Sequence, residues 1–426
     1  MLSIESYNDF LLPTAVVCSA VALYSQSDRL KKQINTILDK NKAQPVAACP
    51  FKEEKPKPNY GGASWDDPPP KPTPLEALTP EKVKDYDDRP WRPFRWPYHQ
   101  TMSIFRLDIN HWLDMDKFYI HYLKQKQEIF DEHGNDHFDW LPESQDACEE
   151  LLETVVDHML TRYPNLFKKT ENGIHNLITN EKLNLTQPLE HHPLWYISKM
   201  AKEDFYVVKQ RDDGKHYLVA AAVPFPGGYF KISDKLGKYI DLIHAEVPYY
   251  NEKLKNSMER WFSKLKPAEP VERASWYFTW DHELLCSKVY MVPEGENMPT
   301  DVKYEDFTIR VERQTLRRLP KSKAIIFTNH PVFYHLEEMK DEPGVPSILK
   351  KVLLEAPEKI SEYKNFHAIQ DHLVPYLDKL IQRQLNLGII DENHEIKTAK
   401  TYPFAHWVIS PYGDHGWTNP VFREEV

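Results

Sequence analysis

Cysteine is scarce in this sequence, and no two cysteines form a pair. The 426 residues include four cysteines, and they lie far apart, with no C-x-x-C motif: Cys18, Cys49, Cys148 and Cys286. This spacing argues against a disulfide scaffold, a zinc ribbon and a cysteine-ligated iron–sulfur cluster. A reducing compartment fits such cysteine usage best.

A surplus of basic residues is also missing. Lys and Arg together number 54 and Asp and Glu number 64, which gives a net charge of −10. Because a nucleic-acid binder needs basic side chains to neutralise phosphates, we expect no nucleic acid among the partners. Hydrophobic residues make up 41% of the chain. This composition excludes collagen-like, wholly disordered and multi-spanning membrane classes and indicates a soluble globular body.

The common catalytic signatures are absent. The sequence contains no G-x-S-x-G elbow, no P-loop, no G-x-G-x-x-G and no H-E-x-x-H, so the hydrolase, NTPase, dinucleotide-binding and zincin classes have no support. Several histidines occur in groups without a cysteine or carboxylate at zinc-like spacing. These groups are His191 with His192, His367 with His372, and His406 with His415.

One apolar stretch stands near the N-terminus. Residues 11–27 carry no charge, and a length of about 17 residues is at the low end of what a bilayer span requires. Basic residues follow between Arg29 and Lys32, so the positive-inside rule would hold the rest of the chain in the cytosol. Pro13 and the short length favour a buried or partner-binding helix instead. Residues 1–30 are therefore either a membrane anchor, with the chain on the cytoplasmic face, or part of a cytoplasmic protein.

A proline-rich segment follows over residues 31–95. Thirteen of the 34 prolines fall between Pro45 and Pro97, which predicts an extended, semi-rigid linker without regular helices or central strands. The end of this segment is too aromatic for a free linker. We expect Trp91, Phe94 and Trp96 to dock on the folded body.

The folded body begins with a strong helical pattern. Apolar residues recur at helical spacing over 146–163, and Pro164 ends the pattern. Two β-rich runs, 205–208 and 217–223, are joined by a short polar turn around Gly214 and predict a hairpin.

A helical insert and three further strands come next. Ser233 can cap a helix that carries Leu236, Ile240 and Ile243 on one stripe, and a second helix begins at Pro248 and stops at Pro267. The three strands are predicted over 274–280, 307–316 and 324–334.

This order predicts an α+β fold. Two strands, a helical insert and three strands match the PAS-type arrangement, in which helices cross one face of a five-stranded antiparallel sheet and leave a pocket beneath them. We place this domain at 96–340, with the helix over 146–163 on the outer face of the sheet. Residues 341–426 are predicted to be a C-terminal extension that contains two or more helices.

Polar side chains on one predicted strand are candidates for chemistry. Arg310, Glu312 and Gln314 share one face because side chains alternate along a strand. One interpretation is a polar pocket in which arginine stabilises an anion and the carboxylate holds a cation or proton. The other is a solvated sheet face that carries an ion pair.

His244 lies on the apolar stripe of the first insert helix. A lone histidine in this position is usually a hydrogen-bonded core residue. A neutral imidazole that projects from a helix into an apolar cavity is also what a haem-iron ligand requires. The spacing does not decide between the two, and His330 is an alternative ligand.

A set of motifs resembles one known family. In chain order they are Glu203-Asp204, AVPFPGG (222–228), DKLGK (234–238), IHAEVP (243–248), Glu259-Arg260, Trp276 with Glu283-Leu284, and RVERQTLRRLP (310–320). Together they resemble the alpha-subunit-like family of haem-dependent oxidative N-demethylases, known from bacteria and filamentous fungi, over about residues 95 to 340. The last motif is long and quite specific, whereas the shorter ones count because of their order.

The resemblance implies a haem-binding PAS domain and an oxidoreductase of the monooxygenase type. In this view iron activates O2, a small methylated amine is demethylated, and a separate flavin and iron–sulfur reductase supplies electrons. His244 becomes the expected haem ligand. Arg310, Glu312 and Arg313 become candidates for the distal pocket or for haem propionate contacts, and Glu283 becomes a candidate carboxylate for the amine.

Two alternatives to an enzyme stay open. Haem-containing PAS domains also serve as sensors of small gases, although the chain carries no motif of a kinase, cyclase or DNA-binding output. A haem-free binding protein, with His244 in its core, is the third class. Haem content and amine-dependent O2 consumption separate the three.

Overall fold

The computed structural model describes residues 62–87, 89–228, 230–280, 282–285, 302–398 and Tyr402. Strands are numbered here in chain order: β1 (Phe105–Arg106), β2 (Phe138–Trp140), β3 (Phe167–Thr170), β4 (Gly173–Asn176), β5 (Glu181–Asn184), β6 (Asp204–Gln210), β7 (His216–Ala222), β8 (Val271–Thr279), β9 (Thr308–Arg318) and β10 (Ile325–His335).

The α-helices are numbered in the same way. They are α1 (Pro80–Val83), α2 (Tyr119–His133), α3 (Gln145–Arg162), α4 (Pro193–Ser198), α5 (Ile232–Lys235), α6 (Ile240–Ile243), α7 (Lys255–Lys264), α8 (Val345–Glu355), α9 (Glu358–Tyr363) and α10 (Phe366–Asn386). A π-helical turn, Tyr250–Leu254, leads into α7. Short 3-10 turns lie at Ile109–His111, Gly134–Asp136, Pro142–Ser144, Tyr304–Asp306 and Leu336–Met339.

An antiparallel sheet of seven strands forms the centre, in the order β1-β8-β9-β10-β6-β7-β2. The prediction of an α+β fold with an antiparallel sheet is confirmed, but the predicted strand number of five was too low. The five predicted strands are adjacent in this order, and β1 and β2 extend the sheet at its two edges. These edge strands contain two and three residues, which is too short for a periodic pattern to identify them. A separate three-stranded sheet, β3-β4-β5, was not predicted.

The outer face of the central sheet is covered by helices from both ends of the chain. Leu151 and Val155 of α3 belong to one buried cluster with Val207 and Ile326 of the sheet, as predicted for this helix. Helices α8 and α10 pack over the outer face of β8, β9 and β10, in a second cluster that includes Ile309. Burial on both faces explains why β7 is continuously apolar from Leu218 to Ala222.

The inner face is covered by the insert between β7 and β8. Its first predicted helix is in fact two short helices, α5 and α6, because Gly237 adopts a left-handed conformation with φ of 76°. The Gly237 amide donates to the carbonyl of Leu218 instead of continuing the helix. Ser233 does not cap the helix. Its hydroxyl donates to Asp136.

The described part of the proline-rich segment is more structured than a linker. Pro80 occupies the first turn of α1, where its missing N–H is not needed, and Leu78 and Val83 are buried in the core under α3. Trp91 and Phe94 are buried against the outer face of the sheet, as predicted. A high proline content indicates that long helices and central strands are absent, but it does not indicate whether a segment contacts the folded body. The burial of Leu78 and Val83 was therefore not predicted.

Several predictions fall on residues that the structure does not describe. They include the apolar stretch over residues 11–27, most of the C-terminal tail, and three of the four cysteines. Cys148 is described and buried, and burial raises the pKa of its thiol to about 12. Within the described ranges, no helix has both the length and the apolar character that a membrane crossing demands.

Candidate functional site

A cavity of about 320 Å³ lies between the inner face of the sheet and the insert. Its volume is at the lower end of the usual range for ligand cavities, about 300–1,000 Å³. The walls are mostly apolar and come from the sheet, the insert, the segment before β1 and α9. Their polar or ionisable side chains are Gln100, Tyr206, His244, Arg273, Ser275, Glu312, Gln314, Asn329, Tyr363 and Lys364.

His244 lines this cavity directly after α6. Its Nδ1 lies 2.9 Å from the carbonyl oxygen of Ile240, and its ring stacks on Tyr250 with centroids 5.4 Å apart. A carbonyl can only accept, so Nδ1 carries the proton and Nε2 keeps its lone pair. Burial lowers the pKa of the imidazole, which favours its neutral form. An oriented neutral imidazole of this kind is a suitable ligand for a metal.

Glu312 is the acidic side chain of the cavity lining, as far as the chain is described. Its Oε1 accepts from Arg310 Nε at 2.5 Å, and its Oε2 accepts from Asn329 Nδ2 at 2.5 Å. The carboxyl group also packs on Gly227, where an added Cβ would lie 3.0 Å from the carboxyl carbon. Glu312 is therefore held in one orientation on the cavity floor.

Arg310 lies behind Glu312 and is not part of the cavity lining. Besides Glu312, its guanidinium donates to the carbonyls of Glu283 and Leu284 at 2.9 Å and to those of Phe225 and Pro226 at 3.0 and 3.2 Å. The side chain is fully buried. These contacts tie the loop after β7 and the segment after β8 to the sheet.

The other sequence candidates lie away from the cavity. Glu283 is exposed, and its main-chain carbonyl is the atom that contacts Arg310. Arg313 alternates with Glu312 and points to the outer face, where it pairs with Asp114 at 2.8 Å. His330 also points outward, toward Lys202 at 3.3 Å, while its neighbour Asn329 lines the cavity. Neighbouring side chains on a strand point to opposite faces, so the sequence alone could have separated Arg313 from Glu312 and His330 from Asn329.

Sequence reasoning missed Arg273 and Lys364, the two cations of the lining. Arg273 is on β8, and its register opposite Gln314 puts it on the inner face. Lys364 follows α9, and its ammonium donates to the carbonyl of Trp276. Burial lowers the pKa of Lys364 to about 7, although Glu312 opposes this shift. The pairing of β8 with β9 could have found Arg273, whereas no local signal brings α9 to the cavity.

The chain matches a known protein family over most of the elements described above. The model of the family described as haem-dependent oxidative N-demethylase, alpha subunit-like, matches residues 103–374. The match covers more than half of the chain and includes the strands and the insert that surround the cavity. The chain therefore belongs to this family.

Proposed function

We propose that this protein is a haem-dependent oxidoreductase that removes a methyl group from a methylated amine in the cavity between sheet and insert. The observation that carries the proposal is His244, whose Nδ1 is fixed by the Ile240 carbonyl and whose imidazole lines an apolar cavity. The family description indicates haem dependence and the type of reaction.

The residues of the cavity fit a haem group in their chemistry. His244 would hold the haem iron through Nε2, and the apolar side chains of the insert would provide the surrounding apolar contacts. A bound haem would supply the activation of O2 and the redox chemistry. We further propose that the electrons come from a separate reductase, as the resemblance implies.

Glu312 is our candidate for holding the amine. A protonated methylamine needs a negative partner in an apolar cavity, because an unpaired charge there is costly. Glu312 places a carboxylate on the cavity floor, and each of its oxygens can accept a further hydrogen bond beside the one from Arg310 or Asn329 that fixes its orientation. Arg310 would thus be a positioning residue, and Glu312 would take up or return the proton of the amine nitrogen.

We also propose that the five central strands and the insert form a PAS-type domain. The chain order supports this proposal, because β6 and β7 precede the insert, β8, β9 and β10 follow it, and all five are adjacent in one sheet.

The absorption spectrum of the purified protein, expressed with a haem supply, tests the cofactor. We expect a Soret band and a positive pyridine haemochrome assay in the parent, with loss or shift of the band in His244→Ala. His330→Ala is the matched control, since His330 lies on the other face and should leave the band unchanged. A parent without haem would overturn the proposal, and sensitivity of the control alone would overturn the ligand assignment.

Amine-dependent O2 consumption tests the reaction. The haem-loaded protein, supplied with a reductant, should consume O2 and release formaldehyde with a methylated amine, and Glu312→Gln should slow this strongly while keeping the haem. Haem binding without turnover on any methylated amine would instead favour a sensor or a binding protein.

A further inference from the structure

Two cations of the cavity lining, Arg273 and Lys364, form no ion pair with a carboxylate of the described residues. Among the described residues Arg273 forms no ion pair, and its buried Nε has no hydrogen-bond partner. Lys364 has a main-chain carbonyl as its partner. Glu312, the acidic group of the described lining, is already paired with Arg310.

Two partly buried cations at one cavity wall are unfavourable unless an anion lies near them. Burial lowers the pKa of the Arg273 guanidinium, Tyr402 opposes this effect, and Arg95 adds to it. Arg273 also contributes to the lowered pKa of Lys364, because a nearby like charge disfavours the protonated ammonium. An uncompensated buried charge destabilises the fold, so a ligand that supplies a negative charge here would be bound with a large gain.

The register of β8 and β9 fixes the position of Arg273 relative to Glu312. Arg273 pairs with Gln314, and Ser275 pairs with Glu312. Arg273 and Glu312 are therefore diagonal neighbours on one face, at a Cα separation of about 7–8 Å. One acidic and one basic side chain therefore lie on the same face of two neighbouring strands that line the cavity.

We propose that Arg273 and Lys364 form a carboxylate-binding subsite of this cavity. A guanidinium can bind a carboxylate through two parallel hydrogen bonds, and the ammonium adds a third donor. Two candidate ligands of this cavity carry a carboxylate. One is haem, through a propionate. The other is an amine substrate with its own carboxylate, such as an N-methylated amino acid with its ammonium at Glu312, and this second source rests on the proposed function.

Two matched ligand pairs distinguish the sources. Haem and haem dimethyl ester differ in the free propionates, and N-methylglycine and dimethylamine differ in one carboxylate. Affinities are measured by absorption titration for the haems, and by calorimetry for the amines on the protein with and without haem. The variants are Arg273→Gln and Lys364→Met, with Arg260→Gln on the exposed face of α7 as control. Circular dichroism verifies that each variant is folded.

A propionate subsite predicts that the parent binds haem about tenfold or more tightly than its dimethyl ester. A substrate subsite predicts the same preference for N-methylglycine over dimethylamine. In either case Arg273→Gln removes the preference, Lys364→Met reduces it, and Arg260→Gln keeps it.

The proposal is overturned if the parent shows neither preference, or if a preference persists in both cavity variants. Failure of the proposed function has a different signature. In that case the parent binds no haem at all, and the two amines alone decide whether the carboxylate subsite exists.

Discussion

Both faces of the central sheet carry buried charged side chains, but the partners of these side chains differ between the faces. On the outer face three buried cations have acidic partners, namely Arg313 with Asp114, Arg89 with Glu272, and Lys202 with Asp116. A fourth, Arg317, lies over the ring of Trp112 instead. On the inner face, within the described residues, Arg273 has no such partner. A charge that is paired inside the protein holds elements together, whereas one that faces a cavity without a partner is suited to a ligand.

The largest effect is expected from breaking an outer-face pair. Asp116→Asn leaves the fully buried Lys202 ammonium without its carboxylate, and loss of one partner of a buried ion pair costs about 3–5 kcal/mol. Urea unfolding measures this loss. Asp87→Asn breaks the exposed ion pair with Lys117 and serves as the control, since such pairs contribute little. Equal effects of both variants would contradict the distinction between buried and exposed pairs.

On the inner face we expect that removing a cation causes no loss of stability. Arg273→Gln removes a cation without an acidic partner among the described residues, so the free energy of unfolding of the haem-free protein should stay equal or rise. Arg310→Met, in contrast, removes the ion pair of Glu312 and one hydrogen-bond donor from each of four carbonyls, and we expect a loss of about 3 kcal/mol or more. Urea unfolding of the two variants side by side measures the difference. A larger loss in Arg273→Gln would show that this residue is structural.

The pH dependence separates the faces further. On the outer face, burial lowers the pKa of His158 to about 3, with further contributions from Arg317 and Arg162. The unfolded chain then binds more protons than the folded one between about pH 3 and the ordinary histidine pKa of about 6.5. Stability should therefore fall as the pH decreases through this window, by at most about 1.4 kcal/mol per unit for this group.

His158→Leu should reduce this acid sensitivity, as urea unfolding at pH 7, 6, 5 and 4 would measure. An unchanged slope would show that the loss of stability in acid comes from other groups.

Lys364 gives the corresponding test at alkaline pH. Its folded pKa is about 7, below the ordinary value of 10.5, so stability should rise with pH between these values, and Lys364→Met should flatten that rise.

Local patterns predicted the five central strands, the hairpin and α3 because period and turn residues determine these elements. The polar face of β9 was predicted in the same way, and Glu312 does line the cavity. Arg310 was expected at the ligand and instead lies behind Glu312, since alternation assigns a face but not a depth. Lys364 was not predicted, because only the tertiary packing of α9 brings it near β9.

Among the variants that should lose stability at the cavity, the smallest loss is expected at Gly227, which forms part of the cavity wall. In Gly227→Ala the new methyl group would lie 3.0–3.2 Å from three atoms of the Glu312 side chain, so that carboxylate has to shift. We expect a stability loss of about 1 kcal/mol, in the lower part of the range for overpacking, because Glu312 can give way toward the cavity. Haem binding through His244 should remain, while the affinity for a methylated amine should fall. Urea unfolding, the Soret band and calorimetry with dimethylamine measure the three quantities. An unchanged amine affinity would mean that the amine is not held by Glu312. The comparison of the two faces would then depend on Arg273 and Lys364 alone.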